Sequence, residues 1–227
     1  MNSETESSNG GSFFRELECG EKTIQLKQLY VGDVGCVVWD AAIVLAKFLE
    51  NDTFFPVASG PGTSDQRSHW RGKRVVDLGS GTGVVGIVAG VLGADVTVTD
   101  LPEFVDLMSD NVSINKDVIA GSLTAQVLKW GEEVSRFLPS PDYVLMADVV
   151  YYEESLPALL KTLVDLCGRH TTVLMSYEER TTGNKPLIEK RFFEMMDEHF
   201  TKTKVPYESL DNVFRSRDIN VIMFTLQ

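Results

Sequence analysis

A strand-like run, a cluster of glycines and two flanking aspartates make the first candidate for chemistry in this chain. Val75-Val76-Asp77-Leu78-Gly79-Ser80-Gly81-Thr82-Gly83-Val84-Val85-Gly86 reads as strand, turn and helix start. Glycines let a backbone approach a ligand and take conformations that a Cβ forbids. In an open α/β sheet the first such turn lies at the carboxyl ends of the strands, where ligands bind. The following run, Val96-Thr97-Val98-Thr99, ends at Asp100, an acceptor suited to a ribose diol. Gly81-Thr82-Gly83-Val84-Val85-Gly86 fits GxGxxG with Asp100 nineteen residues after Gly81, so a nicotinamide-dependent oxidoreductase is one reading. Asp77, two residues before Gly79, favours S-adenosylmethionine, because a carboxylate there answers a cationic amino acid moiety and repels a pyrophosphate. The overlapping frame Gly79-Ser80-Gly81-Thr82-Gly83 also gives GxGxG. A plain tight turn without a ligand is the third reading.

The second candidate is Leu145-Met146-Ala147-Asp148-Val149-Val150-Tyr151-Tyr152-Glu153-Glu154-Ser155. It starts as a buried strand and meets a carboxylate where the apolar run should continue. Burying a charge is costly unless it is paired, so stability alone does not explain Asp148. Tyr152, Glu153 and Glu154 read as helix entry and solvent-facing positions, with Ser155 placed to cap the helix that follows. Glu178-Glu179-Arg180, after the next strand candidate, fits either a solvated loop or a contact with a peptide.

Positioning these residues requires alternating elements. Residues 13–30 form two short strand-like runs around Cys19-Gly20-Glu21, a β-hairpin pattern. Residues 37–50 carry a helical apolar face, and Trp39 within them suits a core or a pocket. Residues 51–72, rich in Gly, Pro, Ser and Asp, predict a flexible loop outside the core. From residue 73 onward, strands expected at 73–78, 95–99, 124–128, 143–147 and 171–176 alternate with helices at 84–92, 103–116, 155–166 and 185–199. That order implies an α/β fold, a mainly parallel sheet with helices on both faces. Residues 200–205 and 219–225 should close it as an antiparallel pair.

Composition narrows the function classes. A chain of 227 residues with 43% hydrophobic and 24% charged residues suits one sizeable domain, here 13–227, preceded by a polar tail at 1–12 expected to be disordered. That tail lacks the features of a signal peptide, and no run approaches a membrane span, so the expectation is a cytoplasmic protein with no membrane partner. Three scattered cysteines and three scattered histidines predict neither disulfides nor a metal site. A net charge of −12 without a basic groove argues against nucleic acid as a partner.

Several separated motifs then converge. VVDLGSGTG, VTVTD, LKWGEE and MADVVYYEES, in that order, together with GCVVWDAAIVLAKFLE, resemble the seven-strand protein lysine methyltransferases of the methyltransferase-like group, over about residues 13–225. The resemblance implies a Rossmann-like class I methyltransferase sheet plus the N-terminal hairpin. It also implies S-adenosylmethionine as methyl donor and an enzyme acting on a protein lysine; a monomer is expected. The expected substrate is valosin-containing protein, an AAA ATPase. By position it assigns Gly79, Ser80 and Gly81 to the cofactor cradle, Asp100 to the ribose, and Trp39, Trp130 and Ala147 to the cofactor pocket. Asp148-Val149-Val150-Tyr151 matches the Asp-x-x-Tyr signature at the methyl-transfer centre, making Asp148 and Tyr151 the expected catalytic pair, with Tyr151 also touching cofactor. Asp77 stands where relatives often carry glutamate, which shortens its reach. A fold-retaining module without turnover is the remaining alternative, against which Asp100, Asp148 and both tryptophans speak.

Overall fold

The computed structural model describes residues 11–56, 58–59, 66–67 and 69–227. The expected tail at 1–12 falls almost wholly outside them, as do residues 57, 60–65 and 68 of the expected loop. Strands β1 (Ser12–Cys19) and β2 (Lys22–Leu29) form the predicted hairpin around Gly20. Helix α1 (Asp40–Phe48) starts three residues later than the periodicity suggests, since Val37 and Trp39 are extended. Short strands β3 (Ala58–Ser59) and β4 (Gln66–Arg67) pair with each other.

The remaining elements alternate as expected: β5 (Arg74–Leu78), α2 (Val84–Val91), β6 (Asp95–Asp100), α3 (Val105–Ile114), β7 (Ser122–Val127), β8 (Tyr143–Ala147), α4 (Leu156–Leu166), β9 (Thr172–Glu178), α5 (Lys185–Asp197), β10 (Phe200–Lys204) and β11 (Ile219–Leu226). They build a seven-stranded sheet in the order β10-β11-β9-β8-β5-β6-β7. β5 to β9 run parallel, and β11 and β10 are antiparallel to their neighbours. From β5 the chain moves outward to β6 and β7, then returns to β8 on the other side. The crevice between the carboxyl ends of β5 and β8 is therefore a topological switch point, where α/β sheets bind ligands.

Alternation along the strands sends side chains to two cores. Val75, Val96, Leu145 and Leu174 join α1, α2 and the hairpin on one face, whereas Val76, Val144, Met146 and Val173 join α4 and α5 on the other. A parallel strand covered on both faces needs apolar residues throughout, which is why VLM in β8 shows no polar alternation.

Residues 51–72 do not all lie outside the core. Phe55 and Trp70 are buried, and the Trp70 indole N–H donates to the Leu49 carbonyl at 2.8 Å. Their aromatic area outweighs the turn-forming composition around them. Ser155 also departs from expectation. Its hydroxyl donates to the Tyr152 carbonyl at 2.9 Å instead of accepting a helix N–H, because Glu153–Ser155 form a 3-10 turn that leads into α4.

Candidate active site

The carboxyl ends of five strands surround one cavity of about 700 Å³ at the switch point. Gly79, Ser80 and Gly81 reach it from β5, Asp100 from β6 and Trp130 from beyond β7. Ala147, Asp148 and Tyr151 arrive from β8 and Arg180 from β9. Every residue that the sequence nominates for the site, including Asp77 and Trp39, lines this space. The volume lies within the range of small-molecule sites.

The wall at β5 and β6 is made by backbone. Ser80 N–H donates to the Thr99 carbonyl at 3.0 Å, and its hydroxyl donates to the Asp77 carbonyl while accepting from Thr99 N–H. Ser80 thus ties the glycine turn to β6. Gly81 has φ 54°, and a Cβ there would stand 2.8 Å from the Gly35 carbonyl oxygen. At Gly79 a Cβ would stand 2.9 Å from the Trp130 ring. Glycine is required at both places because the pocket walls close onto the turn itself.

Both oxygens of Asp100 are held by backbone: Oδ2 accepts from Gly81 N–H at 2.8 Å and Oδ1 from Leu101 N–H at 2.7 Å. Burial pushes its pKa up, and the two N–H donors oppose that shift. Each oxygen retains a lone pair toward the cavity for a diol. Asp77 sits beneath the turn, 2% exposed, with Oδ2 accepting from Gly86 N–H at 2.9 Å. Burial raises its pKa to about 7. Asp77 therefore both supports the start of α2 and presents a carboxyl whose ionised form a cationic ligand group would favour. The glycine cradle, the Asp100 acceptor and the Asp77 carboxyl together fit S-adenosylmethionine.

The wall at β8 and β9 is made by side chains. Asp148 has a positive φ of 54°, a strained conformation for a residue other than glycine. This bend turns its carboxylate off the strand. Its Oδ2 meets the Arg180 guanidinium at 2.5 Å, and its Oδ1 accepts from Glu178 N–H at 3.3 Å. Arg180 also lies 3.4 Å from the Glu178 carboxylate and 5.9 Å from the Trp39 ring centroid. Trp39, 40% exposed, is fixed by its indole N–H to the Val34 carbonyl at 2.7 Å, so it is a pocket wall and not a core residue.

Tyr151 lies against Tyr152 with ring centroids 4.6 Å apart, and burial pushes its pKa up to about 12, keeping the phenol protonated. Lys185, the first residue of α5, donates to the Tyr151 carbonyl at 2.6 Å. A cation is disfavoured at a helix N-terminus; that bond and the two nearby tyrosine faces offset the cost. Sequence reasoning missed Lys185, and it read Arg180 as part of a solvated loop or a peptide contact, without its pairing to Asp148. The lysine at a helix start is the signal that could have found it. For Arg180 no local pattern exists, because its partner is 32 residues away.

Fold and site together define a Rossmann-like class I methyltransferase. The Lysine methyltransferase family profile matches residues 18–199, and the chain belongs to that family, whose methyl donor is S-adenosylmethionine. It is 38% identical over 192 residues to Protein N-lysine methyltransferase METTL21A of Danio rerio, covering 83% of this chain and 76% of that protein. It is 35% identical over 191 residues to EEF1A lysine methyltransferase 3 of Mus musculus, covering 84% and 71%. The solved structure of the 16S rRNA methyltransferase RsmC of T. Thermophilus, in complex with AdoMet and guanosine, has the same fold. It shares a TM-score of 0.58 at 15% identity, covering 95% of this chain and 50% of that one.

Proposed function

We propose that this protein transfers methyl groups to a lysine ε-amine of a protein substrate, with Asp148 and Tyr151 at the transfer centre. The observation that carries the reading is the meeting of the Asp148 carboxylate, the Tyr151 ring and the glycine cradle in one cavity. S-adenosylmethionine, when bound, supplies a methyl carbon on a sulfonium, from which the nitrogen lone pair displaces a neutral thioether.

The protein's task is to bind, orient and dry. An ordinary lysine has a pKa near 10.4, so roughly one in a few thousand is neutral at pH 7. Only the neutral amine is a nucleophile. Asp148 accepts a hydrogen bond from the entering nitrogen and aligns its lone pair, and the ammonium proton leaves to water. Alignment of this kind supplies a large share of the rate when little covalent chemistry falls to the enzyme. Tyr151, kept neutral by burial, offers an aromatic face that tolerates methylated nitrogen and so permits repeated transfer. Gly79, Ser80 and Gly81 cradle the donor, Asp100 takes its ribose and Asp77 its amino acid end. Trp39, Trp130 and Ala147 enclose it.

Residues 13–227 act as one domain, monomeric and cytoplasmic. No helix among the described residues is long and apolar enough to cross a membrane. Motif resemblance supports valosin-containing protein as substrate, whereas the name of one relative points to EEF1A. A single assay decides between them. Purified valosin-containing protein and EEF1A are each incubated with the enzyme and labelled S-adenosylmethionine, and the labelled peptide is sequenced. Label on a lysine of valosin-containing protein supports the first substrate, and label on EEF1A alone replaces it with the second. In a parallel incubation with cell extract, label found only in RNA overturns the lysine reading. Thermal stabilisation by S-adenosylmethionine but not by NAD is the companion result, since only a bound ligand raises stability by mass action.

A further inference from the structure

We propose that Arg180 is a positioning residue that balances the charge of Asp148, so that the acceptor site orients a lysine amine without holding it as ammonium. The inference rests on the assignment of Asp148 as the hydrogen-bond acceptor for that amine. A buried carboxylate alone would defeat the reaction it serves. Its negative charge would stabilise the cation and raise the amine's pKa, leaving less of the neutral nucleophile. The structure places the Arg180 guanidinium directly on that carboxylate.

The geometry is that of a held pair. The Asp148 side chain is 8% exposed and its two oxygens are engaged from different directions, Arg180 on one and Glu178 N–H on the other. Each oxygen keeps a lone pair, so the amine can still donate to the carboxylate while its charge is balanced. Arg180, 26% exposed, is itself constrained by the Glu178 carboxylate and by the Trp39 ring. A plug waiting to swing aside would not need three partners.

Other charges facing the pair set the sign of the effect. Glu178 at the end of β9 adds a negative charge beside Arg180. Lys185 on α5 is committed to the Tyr151 carbonyl. Across the cavity stand Asp33, Asp77, Asp100 and Glu154, with Lys129 as the remaining cation on the wall. Acids thus outnumber bases around the amine, and Arg180 is the cation that touches Asp148.

The test is kcat against pH, from about 6 to 10.5, with saturating S-adenosylmethionine and the lysine substrate found above. The acidic limb of kcat reports deprotonation of the bound amine. Arg180→Gln should move that limb up by about one pH unit, costing about ten-fold in kcat at pH 7 and little at pH 10. Arg180→Lys should return the limb toward wild type. Glu178→Gln should move it the other way, by a few tenths of a unit. A merely structural role predicts lower kcat at every pH with the limb in place, which would overturn the inference. So would higher activity and lower KM at pH 7 in Arg180→Gln, the result expected of a plug. If Asp148→Asn kept the wild-type kcat and limb, the assignment of Asp148 would fail and this inference with it. Failure of the wild-type enzyme to label any lysine is the separate outcome that removes the proposed function.

Discussion

The two walls of the cavity solve the same problem by different means. At β5 and β6 the wall is largely backbone, and its carboxylates accept from backbone N–H groups, Asp100 from Gly81 and Leu101 and Asp77 from Gly86 in the first turn of α2. At β8 and β9 the surface is side chain, and its central carboxylate is held by an ion pair from another strand. The first wall is held by short-range bonds that tie Ser80 and Gly81 to Thr99 and Asp100. The second is held by contacts among Arg180, Asp148, Glu178 and Trp39. A donor common to a whole family suits the first construction; an acceptor site that must handle a proton suits the second.

If the walls divide donor binding from acceptor chemistry, mutations on one should spare the other. The largest effect belongs to Asp148→Ala, which should lower methyl incorporation by about a thousand-fold or more. Calorimetry should show S-adenosylmethionine affinity within a few-fold of wild type; equal loss of both would end the division. Next comes Asn111→Ala. Asn111, fully buried on α3, bonds both backbone groups of Lys27 in β2 and donates to the Thr82 carbonyl of the glycine turn at 2.9 Å. Its loss should cost about 2–4 kcal/mol of stability by leaving those groups unpartnered. Donor affinity should weaken with it while the KM for the lysine substrate holds, as denaturant melts and steady-state kinetics would reveal.

A smaller effect is expected from Gly81→Ala, where the added Cβ meets the Gly35 carbonyl. Roughly ten-fold weaker donor binding is expected, with the pH limb of kcat unmoved. The smallest is Asp77→Asn. The folded carboxyl has its pKa raised to about 7 from 3.8. Between those values it keeps a proton that the unfolded chain has released, so stability falls as pH rises through that window and the penalty is complete above it. Asparagine removes the ionisation and keeps an oxygen for Gly86 N–H. Its Tm at pH 8 should exceed wild type by about 3 °C, with the gap closing toward pH 4. Donor affinity should fall despite the gain in stability.

The wall proposed to hold the donor was largely visible in residue order. Asp77, the glycines and Asp100 lie within one strand-turn-helix-strand unit, where sequence spacing and spatial spacing are nearly the same thing. The proposed catalytic pair stood out for a different reason: Asp148 and Tyr151 share one short segment, and a charge interrupting an apolar strand is conspicuous. Arg180 and Asn111 were not legible in their roles. Their partners are 32 residues away in one case and 84 in the other for Lys27, joined by sheet pairing and by helix docking. The buried Phe55 and Trp70 were hidden by a turn-rich neighbourhood, since composition averages over the few large side chains that pack.

Alternating elements and ordered motifs were sufficient to determine an α/β sheet with a parallel centre, and to single out the glycine turn and the β8 strand end that line its cavity. These are local properties, set by periodicity and by what glycine and aspartate can do in a turn. Tertiary structure alone decided that the Asp148 carboxylate is paired with Arg180, that Trp39 is fixed through the Val34 carbonyl, and that Asn111 ties the hairpin to the glycine turn. Those contacts depend on which strands lie side by side, and the switch in strand order at β5 and β8 brings distant segments within hydrogen-bonding reach.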